Sequence, residues 1–235
     1  MIKAVLIDID NTLLDFDAYV REAMRDGFEK FGLPSYRDEM YGVFLRVNTE
    51  FWHRLERGEI TYGELLRERW NCIFSALGIS FDGPTFEAYF KSCLFDSAIP
   101  VEGAAELLEY LKGRYILCAA SNGPYRQQIN RLEKGGLLPY FSECFISEQI
   151  GASKPSAAFF SRCMDTLNRA RAEAGEEALF PSEVMMIGDS LTSDIAGAIG
   201  SGIETCFFNR DMRPLPQDLS IDHVVYTLEE IRRFL

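Results

Sequence analysis

An apolar run near the start of the chain ends abruptly in charged residues: residues 2–12 read IKAVLIDIDNT. Residues 5–7 form a continuous apolar stretch, which is typical of a strand buried on both faces of a parallel sheet. Two carboxylates, Asp8 and Asp10, follow at once, and alternation along an extended chain directs them to the same side. Folds of the α/β class place ligands at the carboxyl ends of such strands. The alternative interpretation is a surface turn in which Asp and Asn side chains satisfy backbone groups.

Composition and charge describe an ordinary globular protein with an acidic surface. The chain has 235 residues, of which 47% are hydrophobic and 26% charged, and a formal net charge of −12. This charge argues against a nucleic-acid backbone or an anionic membrane as a partner. No apolar stretch approaches the roughly 20 residues that span a bilayer, and we expect no signal peptide before the first strand. The six cysteines show no metal-binding spacing, so we expect reduced thiols and a cytoplasmic location.

A helical pattern follows the first strand. Apolar residues recur at steps of three and four between residues 16 and 31, and again between residues 40 and 55. Thr61 and Glu64 form a capping box before a third helix, and Pro84 is expected to begin a fourth. Four amphipathic helices with short connections predict a compact helical bundle.

From Pro100 onward, short apolar runs alternate with helical segments. This alternation predicts a parallel sheet, which the first strand most simply joins. We therefore predict an α/β fold in which residues 1–14 and 96–235 form a doubly wound, Rossmann-like core. A helical-bundle cap of residues 15–95 is inserted after the first strand. The predicted later elements are strands at 116–120, 144–146, 184–187, 205–208 and 223–225, helices at 104–112, 125–134, 157–174 and 194–200, and an irregular loop at 210–220.

Three further polar clusters follow predicted strands of this sheet. Ser121 and Asn122 come directly after the second strand, and Lys154 follows the third by a short loop. The segment GDSLTSD, residues 188–194, follows the fourth. Because the carboxyl ends of parallel strands meet at one edge of a sheet, we expect these side chains to lie close to Asp8.

The order of these motifs identifies a family. DxDxT, SN, KP and GDSxxxD, with a helical insertion between the first two, resemble the haloacid dehalogenase-like hydrolase superfamily, whose members are mostly phosphatases. The resemblance covers essentially the whole chain, and four short motifs in order are far more specific than any one of them.

The resemblance implies a two-step reaction. Asp8 is expected to be the nucleophile that forms an aspartyl-phosphate. Asp10 is expected to protonate the leaving alkoxide and then to take a proton from the attacking water. Dehalogenases and phosphonate-cleaving members of the family lack the second acid, so its presence favours phosphoryl transfer to water. Phosphomutases remain an alternative, but they usually read DxDGV, where this chain has Asn11 and Thr12.

The same resemblance implies which residues bind the phosphoryl group. Thr12, Ser121 and the backbone N–H of Asn122 are expected to hold phosphoryl oxygens. Lys154 is expected to supply a compact cation to both the phosphate and Asp8. These groups would offset the acidic surface for an anionic substrate.

A magnesium site is expected beside the nucleophile. Asp8, the backbone carbonyl of Asp10, and Asp189 form a set of hard oxygen ligands suited to Mg²⁺. Asp194 is expected either to hold a metal-bound water or to orient Lys154. Its alternative role is a simple helix N-cap.

The insertion is expected to select the substrate, since it resembles the cap of bacterial house-cleaning (noncanonical) pyrimidine 5′-nucleotidases. Trp52 is a candidate to stack a base, with Asn48 and Arg69 as polar contacts to the leaving group. Phe16 and Phe51 are further candidates, although both lie on stripes typical of a bundle core. The segments that carry this resemblance are LDFD (14–17), VNTEFW (47–52), GEIT (58–61), Arg69 and ISEQIG (146–151).

The sequence therefore predicts a cytoplasmic, Mg²⁺-dependent phosphatase for nucleoside 5′-monophosphates, with pyrimidine nucleotides favoured. Two alternatives stay open. One is a phosphatase for small phosphorylated metabolites such as phosphoglycolate or sugar phosphates, and the other is a non-catalytic phosphate-binding or regulatory module. The expected partner is a small phosphomonoester, not a nucleic acid or a membrane, and the expected state is a monomer or weak dimer.

Overall fold

A computed structural model describes all 235 residues, which form two compact units. The first unit comprises Met1–Asp15 and Ala98–Leu235, and the second comprises Phe16–Ser97. The predicted division after residue 14 and before residue 96 lies within one or two residues of these bounds. None of the helices combines the length and the apolar character of a membrane-spanning segment.

The first unit is built on one six-stranded sheet, as predicted. Its strands are β1 (Ala4–Ile7), β2 (Ile116–Ser121), β3 (Glu143–Ile146), β4 (Val184–Gly188), β5 (Glu204–Phe208) and β6 (His223–Val225). All neighbouring strands are parallel, in the order β3-β2-β1-β4-β5-β6. Strand β1 therefore lies in the middle of the sheet, where Ile7 is in register with Ala119 and Ile187. The predicted doubly wound α/β core is confirmed. Because β1 lies at the centre of the sheet, its carboxyl end is where a ligand site is expected in this fold class.

Alternation along β1 divides its side chains between two apolar layers. The helices of this unit are α5 (Ala104–Leu111), α6 (Tyr125–Lys134), α7 (Ser147–Ile150), α8 (Ala157–Glu173) and α9 (Ala196–Gly200). Val5 and Ile7 belong to a buried cluster that includes leucines of α5. Ala4 and Leu6 belong to a second cluster that includes phenylalanines of α8. Burial on both faces explains why β1 is apolar throughout, up to the first carboxylate at Asp8.

The second unit contains the four predicted helices, α1 (Phe16–Lys30), α2 (Glu39–Glu56), α3 (Tyr62–Leu77) and α4 (Gly83–Asp96). The capping box at Thr61 and Glu64 is present, with the Glu64 backbone N–H donating to Thr61 Oγ1. The fourth helix begins one residue before Pro84, because Asp82 accepts a hydrogen bond from Thr85 N at 2.8 Å. The predicted helices and two of their start signals are therefore confirmed.

The interior of the second unit is aromatic. Trp70 is fully buried, and the ring centroids of Phe86, Phe90 and Phe44 lie 4.2, 5.3 and 5.6 Å from its own. Such ring pairs stabilise a bundle beyond the burial of their area. This packing explains the dense aromatic content of the insertion without reference to a ligand.

Two details of the first unit differ from, or add to, the sequence expectation. The helix predicted over 194–200 is preceded by a π-helical turn, Leu191–Ile195, before α9 begins. The six cysteines are free, and Cys118, Cys163 and Cys206 are buried. Burial raises the pKa of the Cys163 thiol to about 12, so this thiol is not a nucleophile at neutral pH.

Candidate active site

The nucleophile candidate lies at the end of the central strand. Asp8 is 8% exposed, and its backbone N–H continues the sheet by donating to Ile187 O at 2.9 Å. The chain then turns, with Asn11 at a φ of 59°, a backbone conformation that Asn tolerates better than most residues. This turn returns Thr12 to the strand end, where its hydroxyl donates to Asp8 Oδ2 at 3.3 Å. The DxDxT spacing therefore places one hydroxyl and one carboxylate side by side.

Lys154 forms the centre of a buried ionic cluster. Its ammonium donates to Asp8 Oδ1 at 2.6 Å, to Asp194 Oδ1 at 2.7 Å and to Ala120 O at 2.7 Å. All three N–H bonds of the ammonium are used, and the side chain is 1% exposed. Asn122 fixes the backbone of the lysine, since Asn122 Nδ2 donates to Lys154 O and Lys154 N donates to Asn122 Oδ1, both at 2.8 Å. The SN and KP motifs thus support each other directly.

Asp194 accepts a hydrogen bond from the lysine and is not the N-cap residue of the helical turn. Its Oδ2 atom accepts from Ser190 N at 3.0 Å, while its other oxygen bonds Lys154. The capping oxygen of this turn is Ser190 Oγ, which accepts from Ser193 N at 3.1 Å. The N-cap alternative for Asp194 is therefore wrong. Gly188 permits the arrangement, because a Cβ atom there would lie 2.2 Å from Asp194 Oδ2.

Three carboxylates converge beside this lysine. Ligand oxygens of Asp8, Asp189 and Asp194 all lie within 4.8 Å of one another. Lys154 and the partly exposed Arg213 beside Asp189 supply two positive charges to three carboxylates, and like charges this close repel unless a further cation lies between them. The cluster offers oxygen atoms only, which is the chemistry that Mg²⁺ prefers. The residues therefore fit the expected metal, and the contribution of the Asp10 backbone carbonyl stays a prediction.

Burial and charge act in opposite directions on the ion pair. Burial raises the pKa of the Asp8 carboxyl to about 7, against the lowering effect of Lys154. Burial would lower the pKa of Lys154, but the charges of Asp194 and Asp8 outweigh it and raise this pKa. The lysine is therefore a permanent cation, whereas ionisation of Asp8 is favoured by any further positive charge at the cluster.

Two residues that the sequence analysis missed hold the second aspartate. Asp10 Oδ1 accepts from Arg131 Nη1 at 2.6 Å, and Asp10 Oδ2 accepts from Gln128 Nε2 at 2.7 Å. Gln128 Nε2 also donates to Ser121 Oγ at 2.7 Å. A signal for these residues was present in the sequence: the buried positions of α6 are 128, 131 and 132, the spacing of an apolar face, yet two of the three are polar.

An arginine from the irregular segment after β5 contacts Asp189, one of the candidate metal ligands. Arg213 Nη2 lies 3.6 Å from Asp189 Oδ2, and this group also donates to Asp189 O. The Asn209 side chain fixes the loop by accepting from Arg213 N and donating to Arg213 O, both at 2.8 Å. The Arg213 side chain is 42% exposed, so the ion pair itself adds little stability. The sequence analysis identified this segment only as a loop.

The second unit pairs two of the predicted leaving-group residues with each other. Arg69 is buried and donates through Nη1 to Asn48 Oδ1 at 2.7 Å and through Nη2 to Glu87 Oε1 at 2.7 Å. Burial raises the pKa of Glu87, although the Arg69 charge opposes the shift. Trp52 is only half-buried, and its ring centroid lies 6.4 Å from that of Tyr62. Contact of these residues with a leaving group stays a prediction.

Comparison with known proteins identifies the class of the molecule. Residues 2–202 match the haloacid dehalogenase-like hydrolase family, and the chain belongs to this family. The resemblance inferred from the four motifs is therefore confirmed.

Similar proteins include two nucleotidases. The chain is 35% identical over 212 residues to the pyrimidine 5′-nucleotidase PynA of Streptococcus pneumoniae, which covers 88% of this chain and 84% of that one. It is 28% identical over 234 residues to the pyrimidine 5′-nucleotidase YjjG of Escherichia coli, which covers 98% and 96%.

A structural relative of similar length is also known. The chain is 30% identical over 233 residues to the HAD-hydrolase YfnB of Bacillus subtilis, covering 99% of this chain and 95% of that one. The crystal structure of YfnB bound to magnesium has a TM-score of 0.88 to this structure, at 29% sequence identity, over 100% of this chain and 98% of that one. The whole chain therefore has the fold of this hydrolase.

Proposed function

We propose that this hydrolase is a Mg²⁺-dependent phosphomonoesterase that cleaves nucleoside 5′-monophosphates, pyrimidine nucleotides in preference, through an aspartyl-phosphate on Asp8. The observation that carries the proposal is the arrangement at the end of β1. A buried carboxylate, Asp8, lies 2.6 Å from the Lys154 ammonium. A second carboxylate, Asp10, follows two residues later and accepts hydrogen bonds from Arg131 and Gln128. A nucleophile and a separate acid are what ester hydrolysis in two steps requires.

The proposed first step transfers the phosphoryl group to the enzyme. An Asp8 carboxylate oxygen attacks phosphorus, the bond from phosphorus to the ester oxygen breaks, and Asp10 gives its proton to the departing alkoxide. Lys154, the Thr12 and Ser121 hydroxyls, and the Asn122 backbone N–H would receive the charge on the phosphoryl oxygens.

The proposed second step returns the enzyme to its starting state. Asp10, now ionised, takes a proton from water, whose oxygen attacks phosphorus and breaks the acyl-phosphate bond to Asp8. A Mg²⁺ ion held by Asp8, Asp189 and the backbone carbonyl of Asp10, with Asp194 close enough to hold a metal-bound water, would supply positive charge that favours ionised Asp8 and offsets the charge of the phosphate. Division of one slow hydrolysis into two steps fits a reaction that is among the slowest without a catalyst.

The choice of a phosphate ester over an alkyl halide as the substrate rests on Asp10. A halide leaves without a proton, so a dehalogenase has no use for an acid at this position. Here the acid is present and held by two buried donors. The same argument disfavours a non-catalytic phosphate-binding module, since binding alone does not require a proton donor.

The choice of nucleotides rests on relatives and on the insertion. PynA and YjjG are named as pyrimidine 5′-nucleotidases, and both extend over most of this chain. Within the second unit, Trp52 retains the partial exposure that a stacking residue needs. Small phosphorylated metabolites such as phosphoglycolate or sugar phosphates remain the second candidate class.

A substrate panel tests the proposal. Phosphate release is measured with Mg²⁺ for UMP, CMP, dTMP, AMP, GMP, ribose 5-phosphate, phosphoglycolate and p-nitrophenyl phosphate, with Asp8→Asn as the inactive control. We expect kcat/KM for pyrimidine nucleotides to exceed that for the other natural substrates roughly tenfold or more. Highest activity on phosphoglycolate or ribose 5-phosphate would transfer the assignment to the second class. No release from any ester would reject the phosphatase.

A further inference from the structure

We propose that Gln128 and Arg131 form a positioning pair that sets both the acid–base carboxylate of Asp10 and the donor direction of the Ser121 hydroxyl. This inference rests on the proposed function of Asp10 as acid and base. Neither residue belongs to a motif that the sequence analysis singled out. Both lie on α6, one turn apart, and both are almost completely buried, at 0% and 1% exposure.

The pair gives each oxygen of the Asp10 carboxylate its own donor. Arg131 Nη1 lies 2.6 Å from Oδ1, and Gln128 Nε2 lies 2.7 Å from Oδ2. Two donors at fixed positions determine the plane of the carboxylate as well as its location. A proton donor must meet the leaving oxygen within hydrogen-bond distance and in the right direction, so this plane matters for catalysis.

The amide of Gln128 is fully used in this network. Its Nε2 group donates to Asp10 and, at 2.7 Å, to Ser121 Oγ, while its Oε1 atom accepts from Arg131 Nη1 at 2.8 Å. The two N–H bonds of Arg131 Nη1 are likewise divided between Asp10 and Gln128. Both N–H bonds of Gln128 Nε2 and both of Arg131 Nη1 therefore have an acceptor within this network, which restricts how the three side chains are arranged.

The consequence for Ser121 follows from counting its lone pairs. Ser121 Oγ accepts from Gln128 Nε2 at 2.7 Å and from Gly123 N at 3.1 Å. A hydroxyl has two acceptor sites and one proton, so two donors leave the proton directed away from both. The Ser121 hydroxyl is therefore arranged as a donor, which is the role required to hold a phosphoryl oxygen.

Burial differs between the two ends of the Arg131–Asp10 contact. The Arg131 side chain is 1% exposed, whereas the Asp10 side chain is 34% exposed. The donors thus support the carboxylate from the protein interior and leave its other side to solvent. Gly123 leaves room for the Gln128 side chain in this position, because a Cβ atom at residue 123 would lie 2.8 Å from the Gln128 amide.

The test compares leaving groups that differ in their need for a proton. Arg131→Lys, Arg131→Met and Gln128→Leu are assayed on the best alkyl phosphate of the substrate panel and on p-nitrophenyl phosphate. For the latter, the first-turnover burst of nitrophenolate isolates phosphoryl transfer to the enzyme. Asp10→Asn serves as the reference, and Gln127→Leu, the same change at the adjacent position of α6, as the matched control.

We expect Arg131→Met and Gln128→Leu to lower kcat on the alkyl phosphate roughly 10- to 100-fold. The nitrophenolate burst should change several-fold less, because nitrophenolate leaves without a proton. Arg131→Lys should recover part of the loss, since an ammonium replaces only one donor of the guanidinium. Gln127→Leu should behave as the wild type on both esters.

Three outcomes would overturn the inference. They are unchanged kcat in both Arg131→Met and Gln128→Leu, equal losses on both esters, and losses that follow the melting temperature alone. If Arg131→Met fails to fold, Gln128→Leu decides. Failure of the proposed function is separable, because it would appear as an inactive wild type or as an Asp10→Asn variant without leaving-group dependence.

Discussion

Each of the two units buries a cationic side chain, but the two clusters are balanced differently. In the second unit, Arg69 faces one carboxylate: Arg69 Nη2 lies 2.7 and 3.0 Å from the two oxygens of Glu87, and Asn48 takes a further N–H. In the first unit, Lys154 faces both Asp8 and Asp194. The Arg69 cluster is neutral and its charged groups are paired, whereas the Lys154 cluster carries excess negative charge.

This difference separates an ion pair that its own residues balance from one that they do not. Burying charges costs free energy that only good geometry and full hydrogen bonding offset. The Arg69 cluster meets that condition with its own residues. The Lys154 cluster does not: with Asp189 as a third carboxylate within 4.8 Å, one negative charge is left over even when Arg213 is counted, and a bound cation would offset it. Charge balance therefore distinguishes the two sites where burial alone does not.

The largest expected effect removes the nucleophile from the unbalanced cluster. Asp8→Asn should reduce turnover roughly 10⁴-fold or more, because an amide cannot form the acyl-phosphate. The fold should remain, since the change is isosteric and removes one of the competing carboxylates. Phosphate release and thermal unfolding measure the two effects. Full activity, with deamidation to Asp excluded by mass spectrometry, would contradict the assignment of the nucleophile.

The next effect tests whether a metal supplies the missing charge. EDTA should stop catalysis and Mg²⁺ should restore it, and Asp189→Ala should weaken the apparent affinity for Mg²⁺ by at least about tenfold. Activity titrated against free Mg²⁺ measures this change. Asp165→Ala, at an exposed position on α8, is the matched control and should leave the titration unchanged. Activity that persists after exhaustive chelation would show that the cluster functions without a metal.

A smaller effect concerns the balanced cluster. Glu87→Gln leaves the Arg69 charge without a counter-charge and should cost about 3–5 kcal/mol of the free energy of unfolding. Arg69→Met combined with Glu87→Leu removes both charges and should recover most of that loss. Denaturation in urea measures these differences.

The double variant also tests the alternative role of Arg69. A purely structural pair predicts unchanged kcat/KM for nucleotides in the stable double variant. Loss of nucleotide hydrolysis at normal stability would instead place Arg69 at the leaving group, as the sequence suggested.

The sequence was sufficient for the fold because each element carries a local signal. The apolar run ending at Asp8, the capping box at Thr61 and the strand–helix alternation after Pro100 each act over a few residues. The parts of the site at strand ends were predictable for the same reason. A parallel sheet brings the ends of its strands to one edge, so Asp8 and Lys154 had to approach each other once the strands were placed.

The remaining contacts were not predictable because they depend on three-dimensional packing. Arg131 and Gln128 reach Asp10 across more than a hundred residues of chain, and only their polar character at buried helix positions gave a hint. Glu87 was missed as the partner of Arg69, since an ion pair between α3 and α4 depends on how the helices pack. Pairings of this kind have no sequence period.

The smallest expected effect concerns Trp52, whose side chain is neither fully buried in the bundle interior nor fully exposed. It is half-buried, whereas its neighbour Phe51 is 6% exposed and belongs to the bundle interior. A stacked base contributes about 1–3 kcal/mol per aromatic ring in nucleic-acid complexes. Trp52→Ala should therefore lower kcat/KM for pyrimidine nucleotides roughly 5- to 150-fold and spare p-nitrophenyl phosphate, which has no base to stack.

Phe51→Ala is the matched control for this variant. Truncation of a buried phenylalanine should cost about 3–5 kcal/mol of stability and lower both activities together, in proportion to the folded fraction. If Trp52→Ala follows that pattern, Trp52 is part of the bundle core. If it keeps both normal stability and full nucleotide specificity, it belongs to neither the core nor the substrate site. Only a loss confined to nucleotides would assign Trp52 a role in recognising the nucleotide.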